Sequence, residues 1–167
     1  MKLVYSPNDW LQHEVKDFDF DKLDAKEIEA NMIDIMLANE GIGLAANQVA
    51  LDAKIFVMRP INDSKDPHAV INPVIKEVSL ELEESIEGCL SFPGIMLPIK
   101  RPKELVAEYV DITGKKCIIN YSGIDARCFL HEYDHLLGIE FTDRISKLKK
   151  DIWFKKSKKM QKRINNG

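Results

Sequence analysis

The chain has 167 residues, 45% hydrophobic and 31% charged, which fits one domain over residues 1–167 that can bury its own core. The opening Met1-Lys2-Leu3-Val4-Tyr5-Ser6-Pro7 turns polar too soon for a secretory signal, no apolar run approaches a membrane span, and three cysteines without a C-x-x-C pair argue against a disulfide framework. The net charge of −3 hides an asymmetry: residues 144–167 hold ten basic residues and one acidic, leaving −12 for the rest. These features point to a reducing, cytoplasmic setting without a membrane partner.

Residues 1–20 read as an irregular arm, with Trp10 and Leu11 able to tuck into a core and His13 without a local partner. A helix follows from about Lys22 to Asn39. Asp24 and Glu27 give a D-x-x-E cap signal, and Ile28, Met32, Ile35 and Met36 fall at helical spacing as a buried stripe. Gly41 is expected to end it.

The stretch Gly41-Ile42-Gly43-Leu44-Ala45-Ala46-Asn47-Gln48 is small enough for another backbone to approach closely. A tight turn into a strand is the plainer reading, and no lysine follows in the position a phosphate loop needs. Gln48 closes an apolar stretch and needs a partner if buried.

Residues 54–58 read as a short buried strand. The segment 61–67 is turn-rich, and His68 at its end lacks a companion ligand. Residues 69–72 form another strand, which Pro73 should end or place on an edge, and 74–83 a half-exposed one. Glu87-Gly88-Cys89-Leu90-Ser91 lies between turn-prone ends, where a thiolate could be presented, although free cysteines are more often inert and buried. Residues 98–102 read as a connector. Residues 104–111 and 115–121 form a hairpin about Thr113-Gly114, with Cys117 in its second strand.

A helix then carries His131-Glu132-Tyr133-Asp134-His135. Ser122 is the expected N-cap, with Asp125 closing a capping box, and Gly138 ends it. Residues four apart share a helical face, so both imidazoles of H-E-x-x-H can reach one metal ion, while the glutamate can handle a proton of water. Ile145, Leu148 and Ile152 keep helical spacing, so the basic end should start as a packed helix. It is either a solvated helix or a patch for an anionic partner such as RNA. Without steady βαβ alternation, the order of elements predicts an α+β fold, small antiparallel sheets around the H-E-x-x-H helix with a helix at each end.

A catalytic metal needs a third protein ligand. The extended H-E-x-x-H-x-x-G-x-x-H pattern fails at Phe141, and the lysine-rich end offers no downstream glutamate. Cys89 and Cys128 both compete. Cys128 shares the helix face with the histidines but would spread three ligands along one axis, whereas Cys89 approaches from a separate loop.

Taken together, Gly41-Ile42-Gly43-Leu44-Ala45-Ala46-Asn47-Gln48, Glu87-Gly88-Cys89-Leu90-Ser91 and His131-Glu132-Tyr133-Asp134-His135 resemble the three signature motifs of the peptide deformylase family, in order. The resemblance implies Cys89, His131 and His135 as ligands of one divalent metal ion, usually Fe(II) and replaceable by Zn, Ni or Co. It implies Glu132 as general acid/base, Gln48 and the Leu90 N–H as oxyanion donors, and Glu87 and Asp134 as supports behind the ligands. Ile42, Gly43, Leu44, Glu87 and Gly88 would meet the substrate, with Ile42, Cys128 and Phe129 contributing to a methionine pocket. The substrate implied is the N-formylmethionyl end of nascent peptides, and the basic end is consistent with work beside the ribosome. Gln12, where the family usually has arginine, and Asn47, where it commonly has Pro or Thr, depart from the pattern. Two other readings remain: a zincin-like peptidase using Cys89, and a non-catalytic RNA- or ribosome-binding protein with a structural metal site.

Overall fold

The computed structural model describes residues 1–62, 66–152 and 154. The first helix, α1, runs Ala25–Ala38, three residues later than the spacing predicts at its start. Asp24 sets that start by accepting hydrogen bonds from the N–H groups of Lys26 (3.0 Å) and Glu27 (3.1 Å). Ile28, Met32 and Met36 are buried as the stripe requires, and Ile35 is half-buried against the same core. Glu40, not Gly41, takes the left-handed conformation after the helix (φ 56°). Gly41 serves close approach instead: a Cβ there would lie 2.8 Å from Leu90 Cδ1.

Five antiparallel strands form the main sheet. They are β1 (Gly43–Ala45), β2 (Ile55–Met58), β3 (His68–Val78), β6 (Glu104–Val110) and β7 (Lys116–Ser122), in the spatial order β1-β2-β3-β6-β7. The strands β4 (Leu82–Gly88) and β5 (Met96–Pro102) make a separate two-stranded ribbon. Pro73 does not end its strand. The register shifts between Ile71 and Val74, Asn72 takes φ 47°, and the Asn72 amide holds Phe18 N–H (2.8 Å) and C=O (3.1 Å). The proline sits in a bulge, where its missing N–H breaks no ladder. Residues 98–102, expected as a connector, are strand β5, because Leu97 and Ile99 alternate into a core and a ribbon's outer edge tolerates proline.

The second helix, α2 (Gly123–Leu136), is central and touches β1, β2 and β7 of the sheet and β5 of the ribbon. Phe129 meets Phe56 edge to face at 5.1 Å in the main core. A smaller core of Leu11, Phe92, Leu97, Ile99 and Phe141 binds the arm and ribbon to the far side. The expected capping box is absent: the Ser122 side chain makes no cap bond, and Asp125 instead accepts from Ile61 N–H (2.7 Å) and Asn62 N–H (3.0 Å). Gly138 follows the helix at φ 71° with the Gln12 carbonyl 2.5 Å from where a Cβ would stand.

His13 does find a partner, Asp52 Oδ1 at 3.0 Å, supplied by a segment distant in sequence. Residues 147–152 are helical as expected, but only Ile145 packs, while Leu148 and Ile152 are exposed. The remainder of the expected basic tail beyond 154, and residues 63–65 of the turn-rich segment, lie outside the described residues.

Candidate active site

Three separate stretches of chain meet at the buried face of α2. A 3₁₀ turn (Ala46–Val49) brings Gln48 in from β1, the turn after β4 brings Cys89, and α2 brings His131, Glu132 and His135. The ligand atoms of Cys89, His131 and His135 all lie within 4.8 Å of one another. Cys89 Sγ is 3.2 Å from His135 Nε2. His131 Nδ1 is tied to Glu87 Oε2 at 3.1 Å, which leaves Nε2 for the cluster. Cys128 stands apart from this group, with its Sγ on the carbonyl of Ile42 at 3.4 Å. Of the two cysteines, the one on the separate loop is thus the one that joins the histidines in a group able to hold a metal ion.

Electrostatics explain how so many charges stay buried. Burial alone would raise Glu87, but bonds from His131 and Arg101 outweigh it and hold its carboxyl down to about 2. Arg101 donates to both Glu87 oxygens (Nε–Oε1 2.7 Å, Nη2–Oε2 3.0 Å) and to Asp134 Oδ2 at 2.7 Å. Arg127 adds a bond to Glu87 Oε1 at 2.6 Å, and Arg144 grips both oxygens of Asp134. Paired, multiply bonded charges of this kind can be kept out of water. Burial pushes Glu132 up to about 7, against the pull of His131 and Arg101. Burial and then the neighbouring His131 push His135 well below the usual imidazole range.

The donor set fits a first-row divalent ion: one thiolate and two imidazoles from different directions, with a fourth direction open. Glu132 Oε2 supports the fit, since it is buried and finds no partner among the described residues. Gln48 is fixed nearby. Its Oε1 accepts from Ala45 N–H (2.8 Å), which turns Nε2 toward Cys89 Sγ (3.4 Å) and Ser91 Oγ (3.1 Å).

A cleft of about 730 Å³ opens onto this cluster. Ile42, Gly43, Glu87, Gly88, Leu90 and Cys128 line it, together with Gln48, Cys89, His131 and Glu132. Leu44 and Phe129 do not: both side chains are fully buried in the main core. Leu44 lies opposite Val57 of β2, which is likewise fully buried. Gly43 is required by contact, since a Cβ there would strike Glu132 Oε1 and lie 2.8 Å from Cys128 Sγ.

Arg101 and Arg127 are the residues that sequence reasoning missed. Arg101 continues the alternation of Leu97 and Ile99 into the interior, and an arginine on an inward-facing position demands anionic partners. Tyr5, Ile86 and Met96 at the rim of the cleft also went unread. They come from segments whose local pattern says only arm or strand.

The Polypeptide deformylase family profile matches residues 1–151. The chain belongs to the polypeptide deformylase family. A peptide deformylase of Pelagibacter ubique is 38% identical over 161 residues, covering 95% of this chain and 94% of that protein. One from Borreliella burgdorferi is 40% identical over 143 residues, 86% of each. The crystal structure of a peptide deformylase from Legionella pneumophila superposes with a TM-score of 0.86 at 30% identity, over 99% of this chain and 98% of that one. The α+β architecture is thus that of solved deformylases. Among the described residues, no helix is long and apolar enough to cross a membrane.

Proposed function

We propose that the cleft over Cys89, His131 and His135 carries out the deformylase reaction of the family. The chain is a hydrolase: it removes the N-formyl group from the amino-terminal formylmethionine of newly made peptides and releases formate. The observation that carries this reading is Glu132, a buried carboxyl whose Oε2 finds no partner among the described residues, beside a cysteine sulfur and two imidazoles poised for one cation. Family membership leaves no support for the peptidase or the non-catalytic RNA-binding reading.

A divalent ion held by Cys89, His131 and His135 would lower the pKa of water and polarise the formyl oxygen. Fe(II) is the ion we assign, and the mixed sulfur and nitrogen set also suits Zn, Ni or Co. Glu132 takes a proton from the attacking water and returns it to the amine as the C–N bond breaks. Burial raises the Glu132 carboxyl above the usual carboxylate range, the direction that makes one group able both to take and to return a proton. Charge that gathers on the formyl oxygen would be met by the Gln48 side-chain amide, which a hydrogen bond from Ala45 N–H fixes beside Cys89, and by the Leu90 backbone N–H. The edges of β1 at Gly43 and β4 at Gly88 flank the cleft and offer backbone groups to an extended peptide. Its methionine side chain fits against Ile42 and Cys128.

The setting that follows is the translating compartment, the cytoplasm in a bacterial cell, with residues 1–167 acting as one catalytic unit. The basic segment 144–167 is a candidate contact for the ribosome or its RNA. The deciding experiment measures formate release from N-formyl-Met-Ala-Ser by anaerobically purified protein, with an acetyl-Met peptide as control. Release from the formyl peptide alone is expected. No release after loading with Fe(II) or Ni(II) would overturn the reading.

A further inference from the structure

One turn of 3₁₀ helix reaches two of the three candidate ligands. Ala46–Val49 presents Gln48 to Cys89 Sγ at 3.4 Å, and the preceding residue, Asn47, donates from its side-chain amide to the backbone carbonyl of His135. The two side chains diverge because successive residues of a three-per-turn helix point about 120° apart. Asn47 is fully buried.

The two histidines are held differently. His131 is oriented through its ring by Glu87, itself clamped by Arg101 and Arg127. His135 has no such support: its Nδ1 is buried and finds no partner among the described residues. His135 also lies in the last turn of α2, which ends at Leu136, where carbonyls lack intrahelical donors and helices fray. Its carbonyl is held by Gly138 N–H (2.9 Å) and by Asn47. The amide oxygen of Asn47 is likewise buried without a partner among the described residues. A residue present only to fill space would be apolar, so a half-satisfied buried amide at this point asks for a reason.

We infer that Asn47 is a positioning residue, which fixes His135 as a ligand by pinning its backbone to the turn that carries Gln48. Metal retention at His135 and the placement of the oxyanion donor are thereby coupled through two adjacent side chains. The inference rests on the deformylase reading for its functional meaning, but its test does not need turnover.

The test uses the metal-loaded full chain and the variant Asn47→Ala. The first readout is the rate of metal loss to excess chelator, the second the visible spectrum of the Co(II)-loaded protein, and the third the split between kcat and KM. Metal loss about tenfold faster is expected, as for other groups that orient a metal ligand. Shifted Co(II) bands and a lower kcat with KM within about twofold should accompany it. Metal loss at the wild-type rate with unchanged bands would overturn the proposal, whatever the thermal stability does. Should the alanine variant not fold, the isosteric Asn47→Asp takes its place, with the same three readouts and the same outcomes for and against. Side-chain amide resonances of the unsubstituted chain give an independent check. The Asn47 signal should move on loading with Zn(II), and a signal indifferent to metal would overturn the coupling. A wild-type protein that binds metal but releases no formate would sink the deformylase reading and leave this test intact.

Discussion

Glu132 is a carboxylate held in a place that costs stability. Burial raises it to about 7, and one oxygen lacks a partner among the described residues. Replacing it by glutamine removes a buried ionisable group while keeping its shape. We expect Glu132→Gln to lower formate release by about 10²–10⁴-fold, with metal content unchanged and a melting temperature equal to or above wild type. Metal analysis and thermal melts beside the kinetics check this, and a variant that loses its metal would assign Glu132 a structural role. Gly43 is constrained from the same side. A Cβ there would press on Glu132 and on Cys128 Sγ, so Gly43→Ala should cost at least about tenfold in kcat, because small displacements of a reacting group are expensive. Its unfolding free energy should fall by no more than about 1–3 kcal/mol, the usual range for overpacking. Urea titration beside steady-state kinetics separates the two effects.

At the scale of elements, the network behind His131 joins β4, β5 and α2 through Glu87, Arg101, Arg127 and Asp134. Glu87 is held at about 2 against an ordinary 4.5. A depressed carboxyl contributes stability that is fully present above about pH 4.5 and is lost as pH falls toward 2. That linkage is on the order of 3 kcal/mol for a shift of this size. Glu87→Gln should therefore be less stable than wild type at neutral pH by about 3–5 kcal/mol, since Arg101 and Arg127 lose their anion. The gap should narrow as pH drops from about 4.5 to 2 in denaturant titrations. A gap that stays constant with pH would mean that the network does not depend on the Glu87 charge. Elements were legible from sequence where the signal is local. Asp24 and the Ile28, Met32, Met36 stripe mark α1, Thr113-Gly114 marks the hairpin, and H-E-x-x-H marks the metal face of α2. They were illegible where the partner is remote. Asp125 looked like a cap but serves Ile61 and Asn62, and Arg101 sat in an apparent connector because its partners come from β4 and α2. The candidate ligands were readable as chemistry, while the choice between Cys89 and Cys128 needed the fold to bring a separate loop to the helix.

For the molecule as a whole, the site is assembled from segments that no single element controls, and the amino-terminal arm ties them together. Val4 N–H bonds to Gln48 C=O at 2.8 Å, and Ser6 N–H bonds to Ser91 C=O at 2.9 Å. The arm thus spans the turn that carries Gln48 and the turn that carries Cys89 and Leu90, with Tyr5 between them at the rim of the cleft. Further along, Val15 N–H bonds to Leu136 C=O at 3.0 Å, so the same arm also closes on the end of α2. Deleting residues 2–6 removes the two bonds at the site but leaves Leu11 and Val15, both buried, to anchor the rest. Leu3 and Val4, half-buried against the larger and the smaller core, go with the two backbone bonds, so the stability lost should be about 2–5 kcal/mol. kcat should fall about 10–100-fold, because Gln48 and Leu90, the proposed oxyanion donors, and the Cys89 sulfur would no longer be held in one frame. Single substitution of Tyr5 by alanine keeps both backbone bonds and should spare kcat, which separates the stitch from the side chain. If the deletion lowers kcat no more than Tyr5→Ala does, the arm is packing alone, and Gln48 and Leu90 must be held by the rest of the fold.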